Sequence, residues 1–154
     1  MFGELNQAQI DQVLRTEAVG RIGCHAEGRT YVIPISYVYD SNTVYAQSIP
    51  GMKLYMMRLN PEVCFEVDCI KNASNWQSVI AWGTFEELKG EEGTNALHLL
   101  MQRMTALIAG GQSLHTMIRT DAGDISPMRE ITSLYRIQLT VKTGRFEQDE
   151  EAIH

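Results

Sequence analysis

The residues best suited to chemistry stand in one short run, Ser48-Ile49-Pro50-Gly51-Met52-Lys53-Leu54. It joins an alternating, strand-like stretch (Thr43 to Gln47) to a short helical one (Gly51 to Leu59). The first turn of a helix has backbone N–H groups without intrahelical partners and the positive end of the helix dipole. Gly51 lets an anion approach the main chain, Ser48 offers a hydroxyl, and Lys53 adds a charge that reaches the same place. The chemistry this points to is the grip of a phosphate. The same residues also suit an ordinary helix start, with Ser48 near the N-cap, Gly51 in the turn and Lys53 in solvent.

Two further segments bear on a ligand. In Tyr31-Val32-Ile33-Pro34-Ile35-Ser36-Tyr37-Val38-Tyr39, Pro34 interrupts an otherwise regular strand pattern. Proline donates nothing to a ladder, so this point is an edge or a bulge. Backbone groups left free beside it can read the polar rim of a flat heterocycle; the plainer reading is an edge protected by proline. In Asn75-Trp76-Gln77-Ser78-Val79-Ile80-Ala81-Trp82-Gly83, strand alternation puts Trp76, Ser78 and Ile80 on one face and Gln77 and Val79 on the other. An aromatic beside small polar groups suits the border of a planar ligand, and equally suits core or interface packing.

Several chemistries are excluded by what the chain lacks. It has no glycine-rich dinucleotide fingerprint, Walker loop, HExxH, CxxC or GxSxG. His25, His98, His115 and His154 are scattered, none in metal-ligand spacing, so no metal site is expected. Cys24, Cys64 and Cys69 are odd in number and lie in apolar, strand-like surroundings, which argues for free thiols. The net charge is −6, from 13 basic and 19 acidic residues, with no basic stripe, so a nucleic-acid partner is not expected. Apolar residues make up 44% and charged residues 21%, a balance that supports a packed core rather than disorder. No apolar run reaches the length of a membrane span and no secretory segment is evident, so the expected location is the cytoplasm.

The elements that must position these residues follow from periodicity. Asn6 to Thr16 reads as a helix, with Asn6 and Gln9 as a capping box and Ile10, Val13 and Leu14 on one face. Strands are predicted at Val19–Cys24, Tyr31–Tyr39, Thr43–Gln47, Val63–Ile70, Trp76–Leu88 (broken at Gly83) and Leu134–Phe146. Turns are predicted at Ala26–Arg29 and Asp40–Asn42. A long helix is predicted over Glu91–Ala109, with Leu97, Leu100, Met101, Met104, Leu107 and Ile108 as its apolar stripe and Gly110-Gly111 as its end. His115 to Arg129 reads as loop. The fold class expected is mainly β (α+β): a six-stranded antiparallel barrel with flanking helices, one domain over residues 1–146, and an acidic, solvated tail over 147–154.

Taken in order, "VGRIGC" (19–24), "YVIPISYVYD" (31–40), "VYAQSIPGMKLYMMRLNPEVCFEVD" (44–68), "NWQSVIAWGTFEEL" (75–88) and "YRIQLTVKTGRF" (135–146) resemble the pyridoxamine 5′-phosphate oxidase-related superfamily. The closer likeness is to its small flavin-nucleotide-binding branch, which includes nitroimidazole-resistance proteins. The resemblance implies an FMN-binding split barrel that works as a homodimer, with flavin at the subunit interface. It implies that Ser48, Gly51, Met52 and Lys53 hold the FMN phosphate, with Gln47 beside them. Pro34, Ile35 and Ser36 would line the isoalloxazine edge, Ser78 and Val79 would contact ring or ribityl chain, and Trp76 would stand near the site or the dimer seam. Many relatives have His at the place of Gln47, which removes an ionisable group there. The C-terminal end lacks the substrate-phosphate residues of the full-length oxidases, so pyridoxamine-phosphate oxidation is not expected. The activity implied is an FMN-dependent oxidoreductase passing electrons from a nicotinamide donor to a small nitroaromatic or quinone-like acceptor. A non-catalytic flavin carrier or sensor and a haem-binding split barrel are the alternatives, and a deazaflavin is open too.

Overall fold

The computed structural model describes residues 1–111 and 132–149. The expected loop from His115 to Arg129 and the last five residues of the expected tail lie outside that range. An antiparallel sheet dominates, built from β1 (Phe2–Glu4), β2 (Val19–Ala26), β3 (Arg29–Ser36), β4 (Val38–Asp40), β5 (Thr43–Ser48), β6 (Glu62–Asn72), β7 (Asn75–Leu88) and β8 (Ser133–Glu147). Among the described residues three helices flank it: α1 (Gln7–Thr16), α2 (Met52–Leu59) and α3 (Gly90–Ala109). The sheet order is β3-β2-β6-β7-β8-β5-β4, with β1 added on β8. Its ends, β3 and β4, follow one another in the chain but are not paired, so the barrel is split there. The expected fold class holds.

The six expected strands become eight for two local reasons. Tyr37 divides the second of them. Its ring is 2% exposed and meets Phe65 edge-on at 5.0 Å, while its hydroxyl donates to the Leu14 carbonyl at 2.7 Å. The alternation itself continues, with Ile35, Tyr37 and Tyr39 all buried, but the strand ends at Ser36 and resumes at Val38, where its pairing passes from β2 to β5. The other addition is β1, three residues too short for a periodicity signal.

Local chemistry explains the remaining boundaries. The capping box at α1 forms as expected: Asn6 Oδ1 accepts from Gln9 N–H and Gln9 Oε1 accepts from Asn6 N–H, both at 2.9 Å. Ile10, Val13 and Leu14 are buried against the sheet. Glu27 and Gly28 both have positive φ, as do Ser41 and Asn42. These are the two-residue turns whose twist matches a hairpin. β7 and β8 slip register between Trp82 and Gly83. At Gly83 a Cβ would lie 2.2 Å from the Gln138 carbonyl oxygen, so only glycine fits. The last strand runs through Glu147, which accepts a bond from Trp76 Nε1 at 2.9 Å. Glu147 is therefore part of the sheet, where the sequence reading put it in the tail.

One core fills the inner face, with Ile22, Phe65, Val67, Ala81, Tyr135 and Ile137 at its centre. Behind the β4–β5 turn, Lys142 Nζ donates to Asp11 Oδ1 at 2.6 Å and to Tyr39 Oη at 3.1 Å, and also reaches Asn42 Oδ1. This cluster ties α1 to β4, its turn and β8.

Candidate functional site

At the split in the barrel lies a cleft of about 940 Å³, inside the range of small-molecule sites. Three structures wall it: the free edge of β3, the connection from β5 into α2, and one face of α3.

The β5–α2 wall is the phosphate-like segment. β5 is paired with β8 along its length, as far as Ser48 opposite Ser133. Residues 49–51 then cross to α2, which packs on β2 through the buried Leu54, Met56 and Met57. Two bonds fix it to the β2–β3 hairpin: Tyr55 Oη to Glu27 Oε1 at 2.7 Å and Asn60 Nδ2 to the His25 carbonyl at 2.9 Å. The start of α2 thus faces the cleft. Gly51 is its N-cap and has no side-chain capping bond. Its backbone is extended, and a Cβ there would meet nothing closer than the Ile49 carbonyl oxygen at 3.8 Å. The fold itself does not require glycine here, so room in front of the helix start is what it provides. Ser48 Oγ donates to the Ile49 carbonyl at 2.9 Å. Met52 is exposed and Lys53 half-buried, and both line the cleft. Gln47 lines it as well, with its Oε1 buried and without a hydrogen-bond donor. A buried acceptor without a donor is costly unless a ligand or water supplies one.

The β3 wall carries Pro34, Ile35 and Ser36. Among the described residues β3 pairs only with β2, with Pro34 opposite Arg21. Proline at an edge places its missing N–H on the outer side. By strand alternation the main-chain groups of Val32, the Pro34 carbonyl and those of Ser36 also point outward. Of the two sequence alternatives, edge or bulge, the structure shows an edge.

The third wall went unread in the sequence. Leu100, Arg103, Met104 and Leu107 of α3 line the cleft, and all are half-buried. Among the described residues of α3 only Gly93 and Ala96 are fully buried, and Met101 and Ile108 are 42% and 40% exposed. Of the expected apolar stripe, Leu100, Met104 and Leu107 line the cleft instead of the core, while Met101 and Ile108 are exposed outside it. Arg103 Nη2 donates to the carbonyls of Thr16 at 3.0 Å and Glu17 at 3.3 Å, the end of α1. A cation within an apolar stripe was the available signal.

The electrostatics are one-sided. Among the described residues the charged side chains lining the cleft are Lys53 and Arg103, with no Asp or Glu. Tyr37 also lines it, and burial, reinforced by Glu17 and opposed by Arg103, pushes its hydroxyl far above its ordinary range. It is neutral near pH 7. The described lining therefore suits an anion electrostatically and offers no carboxylate or imidazole as a general base.

Trp76, Ser78 and Val79 are not in this cleft. Val79 is fully buried in the core. Ser78 Oγ donates to Glu66 Oε2 at 3.3 Å, in a cluster where Arg21 reaches Glu66 and Asp68, each at 3.3 Å. β7 stands three strand spacings from β3, roughly 14 Å. The pairing register nonetheless sets Trp76 and Ser78 on the same outer sheet face as Pro34 and Ser36. That face also exposes apolar side chains: Val32 is 62% exposed, Trp82 44%, Ile80 39% and Val141 52%. Among the described residues no cluster of His, Cys, Asp or Glu is arranged to hold a metal, and no helix is long and apolar enough to cross a membrane.

The chain is similar along most of its length to proteins of known structure. An FAD-binding protein from Mesorhizobium loti is 27% identical and superposes with a TM-score of 0.73, covering 96% of this chain and 99% of that one. A candidate 5-nitroimidazole antibiotic resistance protein from Bacteroides thetaiotaomicron shares 19% identity at a TM-score of 0.69, over 97% and 92% of the two chains. The FAD binding protein of Mycobacterium smegmatis shares 22% at 0.64, over 94% and 100%. An uncharacterized protein of Rhizobium meliloti is 28% identical over 89 residues, 58% of this chain and 59% of the relative's own length. The sequence model of the pyridoxamine 5′-phosphate oxidase family matches residues 6–146, nearly the whole described sheet, and the chain belongs to that family.

Proposed function

We propose that this protein binds FMN in the cleft and works as a flavin-dependent oxidoreductase, taking electrons from a nicotinamide donor and passing them to a small nitroaromatic or quinone-like acceptor. The observation that carries the reading is the cleft's composition. A helix start without a side-chain cap, a lysine and the buried Gln47 acceptor meet in a space bordered by an edge strand, and the described residues lining it include no carboxylate. In this reading Ser48, Gly51, Met52 and Lys53 hold the phosphate. Gln47 accepts a bond from a ribityl hydroxyl or ring N–H, and the outward groups of Pro34 and Ser36 meet the ring's polar rim beside Ile35. When bound, the flavin supplies the electron chemistry, and the chain binds it, orients it and keeps bulk water from one face.

A second copy of the chain completes the site. The apolar outer face through Val32, Trp82, Ile80 and Val141 suits burial in a homodimer. Across such a seam Trp76 and Ser78 of one copy can border the flavin of the other. Val79 would then act only by supporting the strand from behind.

FAD is the second reading, favoured by the names of the similar proteins from Mesorhizobium loti and Mycobacterium smegmatis. The test is an absorbance spectrum of the purified protein, followed by mass determination of the extracted cofactor. Flavin bands with an FMN mass are expected, and an FAD mass selects the second reading. A colourless protein that ignores both in titration overturns flavin binding. A flavin-loaded protein that turns over no donor–acceptor pair leaves a carrier or sensor, and a Soret band in place of flavin bands revives the haem alternative.

A further inference from the structure

We infer that the α3 wall of the cleft binds a second ligand beside the flavin, and that it selects an apolar molecule bearing one negative charge, with Arg103 as its counter-ion. The inference rests on the flavin reading, because a flavin phosphate held at Lys53 is what leaves Arg103 to another anion.

The charge balance comes first. In a chain of net charge −6, the described residues lining this cleft include two cations and no carboxylate. Lys53 belongs with the α2 start, one residue beyond the first helical position. Arg103 is carried by a different element, and its position is set by other contacts. Both of its hydrogen bonds among the described residues leave from Nη2, to the end of α1. A guanidinium has five N–H donors in a rigid fork, so this tether orients the group and leaves Nε and Nη1 with donors to offer. A carboxylate takes such donors in pairs.

The surroundings define the rest of the ligand. Leu100, Met104 and Leu107 stand three before, one after and four after Arg103, on the same side of the helix. All are half-buried, and they face the cleft rather than the core. A single cation within an apolar wall rewards a molecule with an apolar body and one anionic group. It does not reward inorganic phosphate or a neutral sugar, which have no surface to bury there. Met104 adds a side chain that adapts to ligand shape. At about 940 Å³ the cleft sits near the upper end of the volumes typical of single small-molecule sites, so it has space beyond a flavin ring.

The test uses the flavin-loaded protein and two probes of nearly equal shape, 2-naphthoate and its neutral counterpart 2-naphthamide. Probe binding is followed by naphthalene fluorescence, and flavin occupancy separately by flavin absorbance. The expected result is naphthoate binding about tenfold or more tighter than naphthamide, the worth of a charge-assisted bond. Arg103→Gln keeps an amide N–H for the Thr16 and Glu17 carbonyls but removes the charge. It should bring naphthoate down to the level of naphthamide, leave naphthamide where it was, and leave flavin affinity within about twofold. Arg103→Lys should keep part of the preference. Equal affinities for the two probes, no binding of either, or a preference that survives Arg103→Gln overturns this inference alone. Absence of flavin binding in the unaltered protein overturns the flavin reading and this inference together.

Discussion

Replacing Gly51 by alanine separates the fold's needs from the ligand's. The backbone at Gly51 is extended, and the added Cβ would have no protein atom within 3.8 Å, so the methyl stands in open cleft space before the start of α2. Alanine is a poorer N-cap than glycine by about 0.5–1 kcal/mol. Against that, the lost freedom of glycine in the unfolded chain returns about 0.4–1 kcal/mol. The two nearly cancel, and the melting temperature should move by no more than about 2 °C. Binding should respond differently. A phosphate oxygen kept from one first-turn N–H forfeits a charge-assisted hydrogen bond of about 1.5–3 kcal/mol, a weakening of roughly 10- to 150-fold in Kd. The assay is quenching of flavin fluorescence, with FMN and riboflavin titrated in parallel. Riboflavin has no phosphate and should bind the variant and the unaltered protein alike. If FMN affinity is unchanged in a stably folded Gly51→Ala protein, or if riboflavin loses as much as FMN, the phosphate does not sit at this helix start.

Lys53→Ala should weaken FMN by a similar factor, about 10- to 150-fold, and reduce the salt dependence of binding; titrations at two ionic strengths check both. Trp82→Glu puts a charge into the apolar outer face where Trp82 is 44% exposed. It should turn a dimer into a monomer by light scattering while leaving the far-ultraviolet spectrum intact, and a species that is monomeric before the substitution refutes the dimer. Asp11→Asn should cost about 1–3 kcal/mol at neutral pH, because Lys142, only 12% exposed, loses its anion. Burial raises the Asp11 carboxyl, but the bonds from Lys142 and Tyr39 and the Lys142 charge outweigh it, so its pKa lies below the ordinary value of 3.8. Its contribution is therefore complete above that value and fades as pH falls through the lowered pKa. Urea titrations at pH 7 and near pH 3 should show the gap between variant and unaltered protein closing in acid, and a gap that widens there contradicts the assignment.

What could be read before the structure was local. Asn6 and Gln9 are three residues apart, and their capping box needs only that spacing. Glu27-Gly28 and Ser41-Asn42 make tight turns from their own backbone preferences. Pro34 at an edge and Gly83 at a break follow from a missing N–H and a missing Cβ. The strand through Tyr37 reads as one because its alternation is unbroken, whereas its division comes from a change of pairing partner, β2 up to Ser36 and β5 from Val38, which no local period records.

The sequence alone determined the element types, the order of the antiparallel strands along the chain, and which side chains share a strand face, because periods of 2 and 3.6 are set by neighbouring residues. It placed Gln47, Ser48, Gly51, Met52 and Lys53 at a strand-to-helix joint, and the family pattern fixed their company. Only the tertiary structure decided what meets across the fold. The sheet order set Ser78 and Trp76 three strands from β3, on the face of Pro34 and Ser36, a distance that alternation does not carry. The packing of α3 turned an apolar stripe from core to cleft wall and brought Arg103 to carbonyls 86 and 87 residues away. Such contacts depend on how finished elements pack, and no local period records them.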